Sequence, residues 1–238
     1  MQISLKDKVV LVAGGTGGLG HAVSLAFLNE GAKVVVTYRN EKGFGSLKDA
    51  AGAAAAIEGV RTDVTAEADG LSLVEGIVER YGRLDVLVNT VGAYAGGVKL
   101  WETDAKTFDR MLDLNLRSGF VLTRAAVPAM LKQGSGAVVN VAAKAAVDHG
   151  AGASAYAAFK AAAVAMMDSL AADVKGTGVR VNSVLPSIID TAVNRQAMPD
   201  ANFAVWPKPE EIANVILFLV SDAARVIHGA AIPVYGKS

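Results

Sequence analysis

Apolar residues along the chain follow two rhythms that take turns. Short, nearly unbroken apolar runs predict strands buried on both faces. They lie at Lys8–Ala13, Lys33–Thr37, Gly59–Arg61, Asp85–Asn89, Ala137–Val141, Val179–Leu185 and Ala231–Val234. Between them, helical spacing predicts helices over His21–Glu30, Leu47–Ile57, Glu67–Tyr81, Thr103–Lys132, Ala155–Val174 and Pro209–Ser221. Gly31 supplies a C-terminal stop for the first helix. The stretch from about 187 to 208 shows neither rhythm. Strands alternating with helices imply parallel pairing through right-handed crossovers. The expectation is one α/β domain over residues 1–238, a doubly wound, mostly parallel sheet with helices on both faces.

Composition narrows the function classes. The 238 residues carry 23 basic and 23 acidic side chains, a formal net charge of zero. Nucleic acid and anionic membrane are therefore not expected as partners, because both are met by basic clusters. There is no cysteine, which excludes disulfides and thiol chemistry. No His/Asp/Glu cluster has metal-ligand spacing, so no metal is expected. The charged segment Met1–Lys8 lacks the apolar core of a signal peptide, and no apolar run is long enough to span a membrane. A cytoplasmic location and a small-molecule substrate are the expectation.

The first strand ends in Ala13-Gly-Gly-Thr-Gly-Gly-Leu-Gly20. Glycines at a strand-to-helix junction let a pyrophosphate approach the helix N-terminus, where unpaired N–H groups and the dipole favour negative charge. This is the Rossmann arrangement, and Gly14, Thr16, Gly18, Leu19 and Gly20 are its candidate contacts. At the end of the second strand, where an acidic residue would bind the ribose of NAD, the chain has Tyr38-Arg39-Asn40. A guanidinium can pair with a 2′-phosphate, which favours NADP(H) over NAD(H). Asp63 and Val64, after the third strand, are placed for the adenine, although Asp63 is equally suited to cap the following turn. Asn89 and Gly92, after the fourth strand, lie where the cofactor would run.

Tyr156 and Lys160 lie four apart in a helical segment and share a face. An ammonium beside a phenol, together with the charge of an oxidised nicotinamide, favours the phenolate and lowers its pKa from about 10. A phenol tuned in this way can give or take a proton during a redox step.

The glycine loop, Asn89, Asn115, Tyr156 and Lys160, in this order, resemble the short-chain dehydrogenase/reductase family over essentially the whole chain. The resemblance implies that Tyr156 is the general acid/base and that Lys160 binds the nicotinamide ribose and lowers the tyrosine pKa. Asn115 would support a water-linked proton path. Pro186, Ile189 and Thr191 would hold the nicotinamide carboxamide. It also implies a homodimer or homotetramer built on the helices around Phe108–Met130 and Phe159–Leu170. Ser187 stands in place of the usual glycine, and Asn89-Thr-Val-Gly92 keeps only the first and last positions of its motif.

The main departure is at position 143, where the family serine that hydrogen-bonds the substrate oxygen is replaced by Ala143. Ser154 is no substitute, since two residues along a helix turn it about 200° from Tyr156. The dihydropteridine reductase branch lacks this serine, and several stretches look like it. They are Ala142–Asp148, Ala95-Gly-Gly97, Leu185–Thr191 and above all Val193-Asn-Arg-Gln-Ala-Met-Pro-Asp-Ala-Asn-Phe-Ala-Val-Trp206. Hydride addition to a quinonoid dihydropterin needs a proton donor but leaves no alkoxide to cradle. The sequence therefore points to an NAD(P)H-dependent reductase of a quinonoid dihydropteridine-like acceptor, with a substrate lid over 187–208. Against this branch stand Arg39 in place of an acid, and the presence of Asn115. The alternatives are a general carbonyl or 3-oxoacyl reductase, and a non-catalytic nucleotide-sensing regulator. Met198, Phe203 and Trp206 in the lid, with Tyr94 and Trp101, are candidates either for stacking on a flat heterocycle or for pinning their loops. His149 reads as a solvent-facing loop residue near the tyrosine.

Overall fold

A computed structural model describes residues 4–238; the opening three residues of the charged N-terminal segment lie outside the described part. Seven strands form one sheet: β1 (Val9–Ala13), β2 (Lys33–Tyr38), β3 (Ile57–Arg61), β4 (Val86–Asn89), β5 (Gly136–Val141), β6 (Val179–Pro186) and β7 (Ala230–Val234). Their order is β3-β2-β1-β4-β5-β6-β7, and every neighbouring pair is parallel. The helices are α1 (Gly18–Asn29), α2 (Glu41–Ala51), α3 (Glu67–Tyr81), α4 (Ala105–Leu112), α5 (Ser118–Gln133), α6 (Ser154–Asp173), α7 (Ala192–Ala197) and α8 (Pro209–Val220).

The continuous apolar runs are explained by the two cores they serve. On one face Val10, Val12, Val34 and Val36 pack with Val23 and Phe27 of α1 and with Ile212 and Ile216 of α8. On the other, Val9, Leu11 and Val35 pack with Leu73 and Ile77 of α3, Leu122 and Met130 of α5, and Met167 of α6. A strand covered on both sides has no room for alternating polar residues. The sheet changes direction of winding between β1 and β4, and ligands in such sheets bind beyond the carboxyl ends of the strands at that point.

Four expected boundaries move. α1 begins at Gly18 rather than His21, so the glycine loop runs directly into the helix. α2 covers Glu41–Ala51 rather than 47–57: Asn40 caps it by accepting from Lys42 N at 2.9 Å, and Gly52 at φ 83° ends it. Ile57 then opens β3. The region expected as one helix from Thr103 to Lys132 is α4 and α5 joined by a π-helical segment, Asp113–Arg117, which holds Asn115. The stretch 187–208 contains a short helix, α7, and a 3₁₀ turn at Phe203–Val205.

Candidate active site

The glycine loop is shaped by close approach. Gly14 sits at φ 73° and donates its N–H to Thr37 Oγ1 of β2 at 2.9 Å. A Cβ on Gly20 would fall 2.1 Å from the Gly14 carbonyl oxygen, and one on Gly15 would fall 2.6 Å from the Val36 side chain. Both positions therefore require glycine. Gly17 caps α1 without any side-chain hydrogen bond, and Gly17 and Gly18 are exposed. No side chain caps the first-turn N–H groups of this twelve-residue helix, which leaves them without a competing acceptor. Thr16 lies against Gly43 of α2, and Leu19 is buried in the core below. These residues fit a dinucleotide pyrophosphate.

The adenosine-side candidates come together in an unforeseen way. Arg39 and Asp63 pair with each other at 3.5 Å, both well exposed. Asp63 also accepts from Thr65 N at 2.9 Å and from Thr65 Oγ1 at 2.7 Å, and these bonds hold its carboxyl below the usual range. Asp63 therefore caps the turn in the ligand-free chain. Val64 is buried in the α3-side core. The Asn89 side chain is occupied internally, donating to Asn140 Oδ1 at 3.1 Å and accepting from Val91 N at 3.2 Å.

Tyr156 and Lys160 share one face of α6, as their spacing predicts, with the Lys160 ammonium 5.9 Å from the centre of the tyrosine ring. Lys160 is buried, and its Nζ donates to the Val141 carbonyl oxygen at 2.9 Å. Gly92 passes directly over this group, where a Cβ would lie 3.1 Å from Lys160 Nζ and 3.2 Å from Asn115 Oδ1. Asn115, also buried, accepts from Ala93 N at 3.2 Å and donates to Ala93 O at 3.0 Å and Met111 O at 3.1 Å. Gly92, Asn115, Tyr156 and Lys160 therefore form one cluster at the carboxyl ends of β4 and β5.

The fold sets the electrostatics of the pair. Burial, reinforced by Tyr94, pushes the Tyr156 phenol up to about 12, and burial brings the Lys160 ammonium down to about 8. Burial disfavours the charged phenolate, and a neighbouring phenol adds to that. Tyr156 is thus held as a neutral donor.

Ala143 is buried in extended backbone next to Ala142, whose N–H bonds to Val184 O at 2.9 Å. Its methyl group offers no hydrogen bond. His149 is exposed, with Nε2 3.2 Å from Ala146 O, consistent with the loop role expected of it.

The lid region is built around internal contacts. Thr191 caps α7, accepting from Asn194 N at 3.2 Å, while Asn194 Nδ2 donates to Ile189 O at 2.8 Å. Arg195 makes a bidentate pair with Asp190, with Nη2 to Oδ2 at 2.8 Å, and lies 4.8 Å from the Phe203 ring centre. Phe203 in turn meets Trp206, which is buried. Arg195, Phe203 and Trp206 therefore hold the lid together from within, with Trp206 buried, while Met198 is half-buried and Trp101 stands exposed. Thr191 touches the cofactor loop, where a Cβ on Gly18 would lie 2.9 Å from its methyl. Ser187, after Pro186, donates to Tyr235 O at 2.8 Å, tying the lid's start to the C-terminal segment.

Sequence reasoning missed three supporting residues: Thr37 under Gly14, Thr90, whose hydroxyl bonds Ala13 O at 2.7 Å, and Asn140 beside Asn89. Each acts on a residue far away in sequence, so no local pattern marks it.

A doubly wound sheet with a glycine-lined helix N-terminus and a Tyr–Lys pair at the strand ends defines a nucleotide-dependent redox fold, and the comparisons with known proteins agree. The short chain dehydrogenase family model matches residues 8–202. The 3-oxoacyl-[acyl-carrier-protein] reductase FabG of Thermotoga maritima is 34% identical over 243 residues, covering 98% of each chain. The 2,5-dichloro-2,5-cyclohexadiene-1,4-diol dehydrogenase LinX of Sphingobium indicum is 34% identical over 244 residues, covering 98% of this chain and 96% of the relative. Among solved structures, one from Beutenbergia cavernae, provisionally described as an NAD(P)-dependent gluconate 5-dehydrogenase with NADP bound at low occupancy, superposes with a TM-score of 0.90. It shares 30% identity and covers 98% of this chain and 97% of its own. The chain belongs to the short-chain dehydrogenase/reductase family of oxidoreductases. No helix among the described residues is long and apolar enough to cross a membrane.

Proposed function

We propose that the protein is a nicotinamide-dependent reductase of a small organic acceptor, with Tyr156 as its proton donor. The observation that carries this reading is the cluster of Tyr156, Lys160, Asn115 and Gly92 at the carboxyl ends of β4 and β5, beside a glycine loop that fits a dinucleotide. Gly14, Thr16, Gly18, Leu19 and Gly20 would hold the pyrophosphate, Asp63 and Val64 the adenine, and Asn89, Gly92, Lys160, Pro186, Ile189 and Thr191 the nicotinamide half. The cofactor, when bound, supplies the hydride. Tyr156 Oη gives a proton to the acceptor atom that gains charge, and Lys160, fixed on Val141 O, orients the ribose and repays the cost of a transient phenolate. Asn115 holds the Ala93 backbone over the site.

The acceptor class drawn from the relatives is a carbonyl carbon, since one is by name a reductase of a 3-oxoacyl group and the other a dehydrogenase of a diol. A second reading, a quinonoid dihydropteridine, is favoured by Ala143, which leaves Tyr156 without the partner hydroxyl that would share an oxyanion. NADP(H) is preferred over NAD(H) on the strength of Arg39, which stands exposed where an acid would select NAD(H). Exposed Phe108 and Phe120 on α4 and α5 support assembly into a homodimer or homotetramer, and a cytoplasmic location belongs to the same proposal.

The test is oxidation of NADPH and of NADH by the purified protein with acetoacetyl thioesters, small ketones and quinonoid dihydropterin. Turnover on ketones alone selects the carbonyl reading, and turnover on the pterin alone selects the second. Nucleotide binding without oxidation by any acceptor overturns both and leaves a nucleotide sensor.

A further inference from the structure

We propose that Tyr94 determines acceptor specificity: its exposed ring, fixed over the proton donor, is the platform for a flat, uncharged, conjugated acceptor. The proposal rests on the reading of Tyr156 as the donor. The two rings meet edge to face at 5.1 Å between centres, with planes 81° apart. Tyr94 nevertheless remains 67% exposed, so it is not part of the core.

An exposed aromatic side chain ordinarily samples several rotamers, and this one is held by its loop. Both backbone groups of the preceding residue, Ala93, are clamped by the Asn115 amide. Two residues on, Gly96 leaves room for the tyrosine, since a Cβ there would lie 2.0 Å from Tyr94 Oη. The far end of the loop is fastened to the segment before α6. Gly97 and Gly152 are both left-handed, at φ 85° and 78°, and approach closely, and Val98 N donates to Gly152 O at 3.3 Å. The loop that carries the ring is therefore anchored from the α4–α5 junction on one side and from the α6 entrance on the other.

The surroundings indicate what such a ring receives. With a methyl group at Ala143, Tyr156 is the hydrogen-bond donor left to an acceptor oxygen or nitrogen. A single hydrogen bond fixes one atom and leaves the molecule free to turn about it. A face-on contact removes that freedom, and aromatic rings favour such contacts with conjugated partners. Three cations on the flanking loops are already engaged: Arg195 on Asp190 and Phe203, Lys144 on Asp148 and Tyr235, and Lys99 over Trp101. None of these three stands free for an anionic acceptor, and a neutral planar one needs none of them. Orientation by stacking thus takes over what a second hydroxyl would do by hydrogen bonding.

The experiment compares Tyr94→Ala and Tyr94→Phe with the unaltered protein, using isatin and 9,10-phenanthrenequinone as flat probes and ethyl acetoacetate as a flexible one. Tyr94→Ala should raise KM for the flat probes roughly three- to tenfold, the scale of one aromatic pair. KM for ethyl acetoacetate and for the nucleotide should stay the same. Tyr94→Phe, which keeps the ring, should restore the flat probes. Calorimetric binding of isatin in the presence of NADP⁺ separates this proposal from the donor assignment, because binding needs no proton transfer. Weaker binding in Tyr94→Ala, restored in Tyr94→Phe, supports it. Equal effects on flat and flexible probes, a Tyr94→Phe that behaves like Tyr94→Ala, or unchanged isatin binding overturns it, whatever Tyr156→Phe does to turnover.

Discussion

The buried Lys160 ammonium is bonded to the Val141 carbonyl oxygen at 2.9 Å, in a position where desolvation has brought its pKa from 10.5 to about 8. A base whose folded pKa lies below its unfolded value destabilises the fold wherever the unfolded chain binds the proton more tightly. That penalty is complete below pH about 8 and fades as the pH rises toward 10.5. Lys160→Met should therefore stabilise the ligand-free protein at pH 7 by about 1–3 kcal/mol, while removing turnover. Urea unfolding at pH 7 and pH 10 checks this, and the gain should shrink at the higher pH.

The Arg39–Asp63 pair is exposed on both sides and contributes little to folding. On the proposed function its importance lies with the nucleotide. Arg39→Ala should raise KM for NADPH by about tenfold, the scale of one charge-assisted contact, and leave KM for NADH unchanged. Steady-state kinetics with both nucleotides measures the ratio. An equal change for both would remove Arg39 from selection of the 2′-phosphate.

Ala143 stands in extended backbone that a serine can adopt without strain. Ala143→Ser should therefore fold normally and lower the barrier for ketones by adding a donor to the developing oxyanion. One such donor is worth about 2–4 kcal/mol in established oxyanion sites, and an added hydroxyl should recover part of that. Turnover of quinonoid dihydropterin should not improve. A large gain on the pterin would mean that the missing hydroxyl is a defect for that substrate.

At the opposite end of the sheet, buried Asp85 accepts from Val9 N at 2.9 Å and from Arg83 and Lys8. Burial raises its pKa, but the Arg83 and Val9 bonds and the two cations outweigh that and hold it below 3.8. A carboxyl whose folded pKa is depressed contributes stability above its unfolded pKa and loses it as the pH falls through the folded value. Asp85→Asn should lower stability at pH 7 by about 1–3 kcal/mol and flatten the loss below pH about 4. Thermal melts from pH 7 to pH 3 for both proteins would show it.

The strands were legible because burial on both faces writes an unbroken apolar run, as in Val9–Ala13. α2 was misplaced because Gly43 and Gly45 weaken its helical pattern, and its start depends on the Asn40 cap. The π segment around Asn115 was invisible, since its residues fit the helical rhythm on either side. At the site, Tyr156, Lys160 and the glycine loop were readable from spacing and order. The lid residues were readable as a pattern but not as a device, because nothing local shows that Arg195 turns back to Asp190 and stacks on Phe203. The burial of Tyr156 was hidden for a related reason. The lysine four residues away is visible in sequence, whereas the burial that raises the phenol comes from the tertiary fold.

The role of Tyr156 as proton donor is tested most directly by Tyr156→Phe, assayed for turnover with the best acceptor and for NADPH binding by fluorescence titration. The variant keeps the ring packed against Tyr94 and loses only the hydroxyl. Turnover should fall by about 10²–10⁴-fold, the contribution of a positioned general acid, with NADPH affinity unchanged. Turnover close to that of the unaltered protein would contradict the assignment.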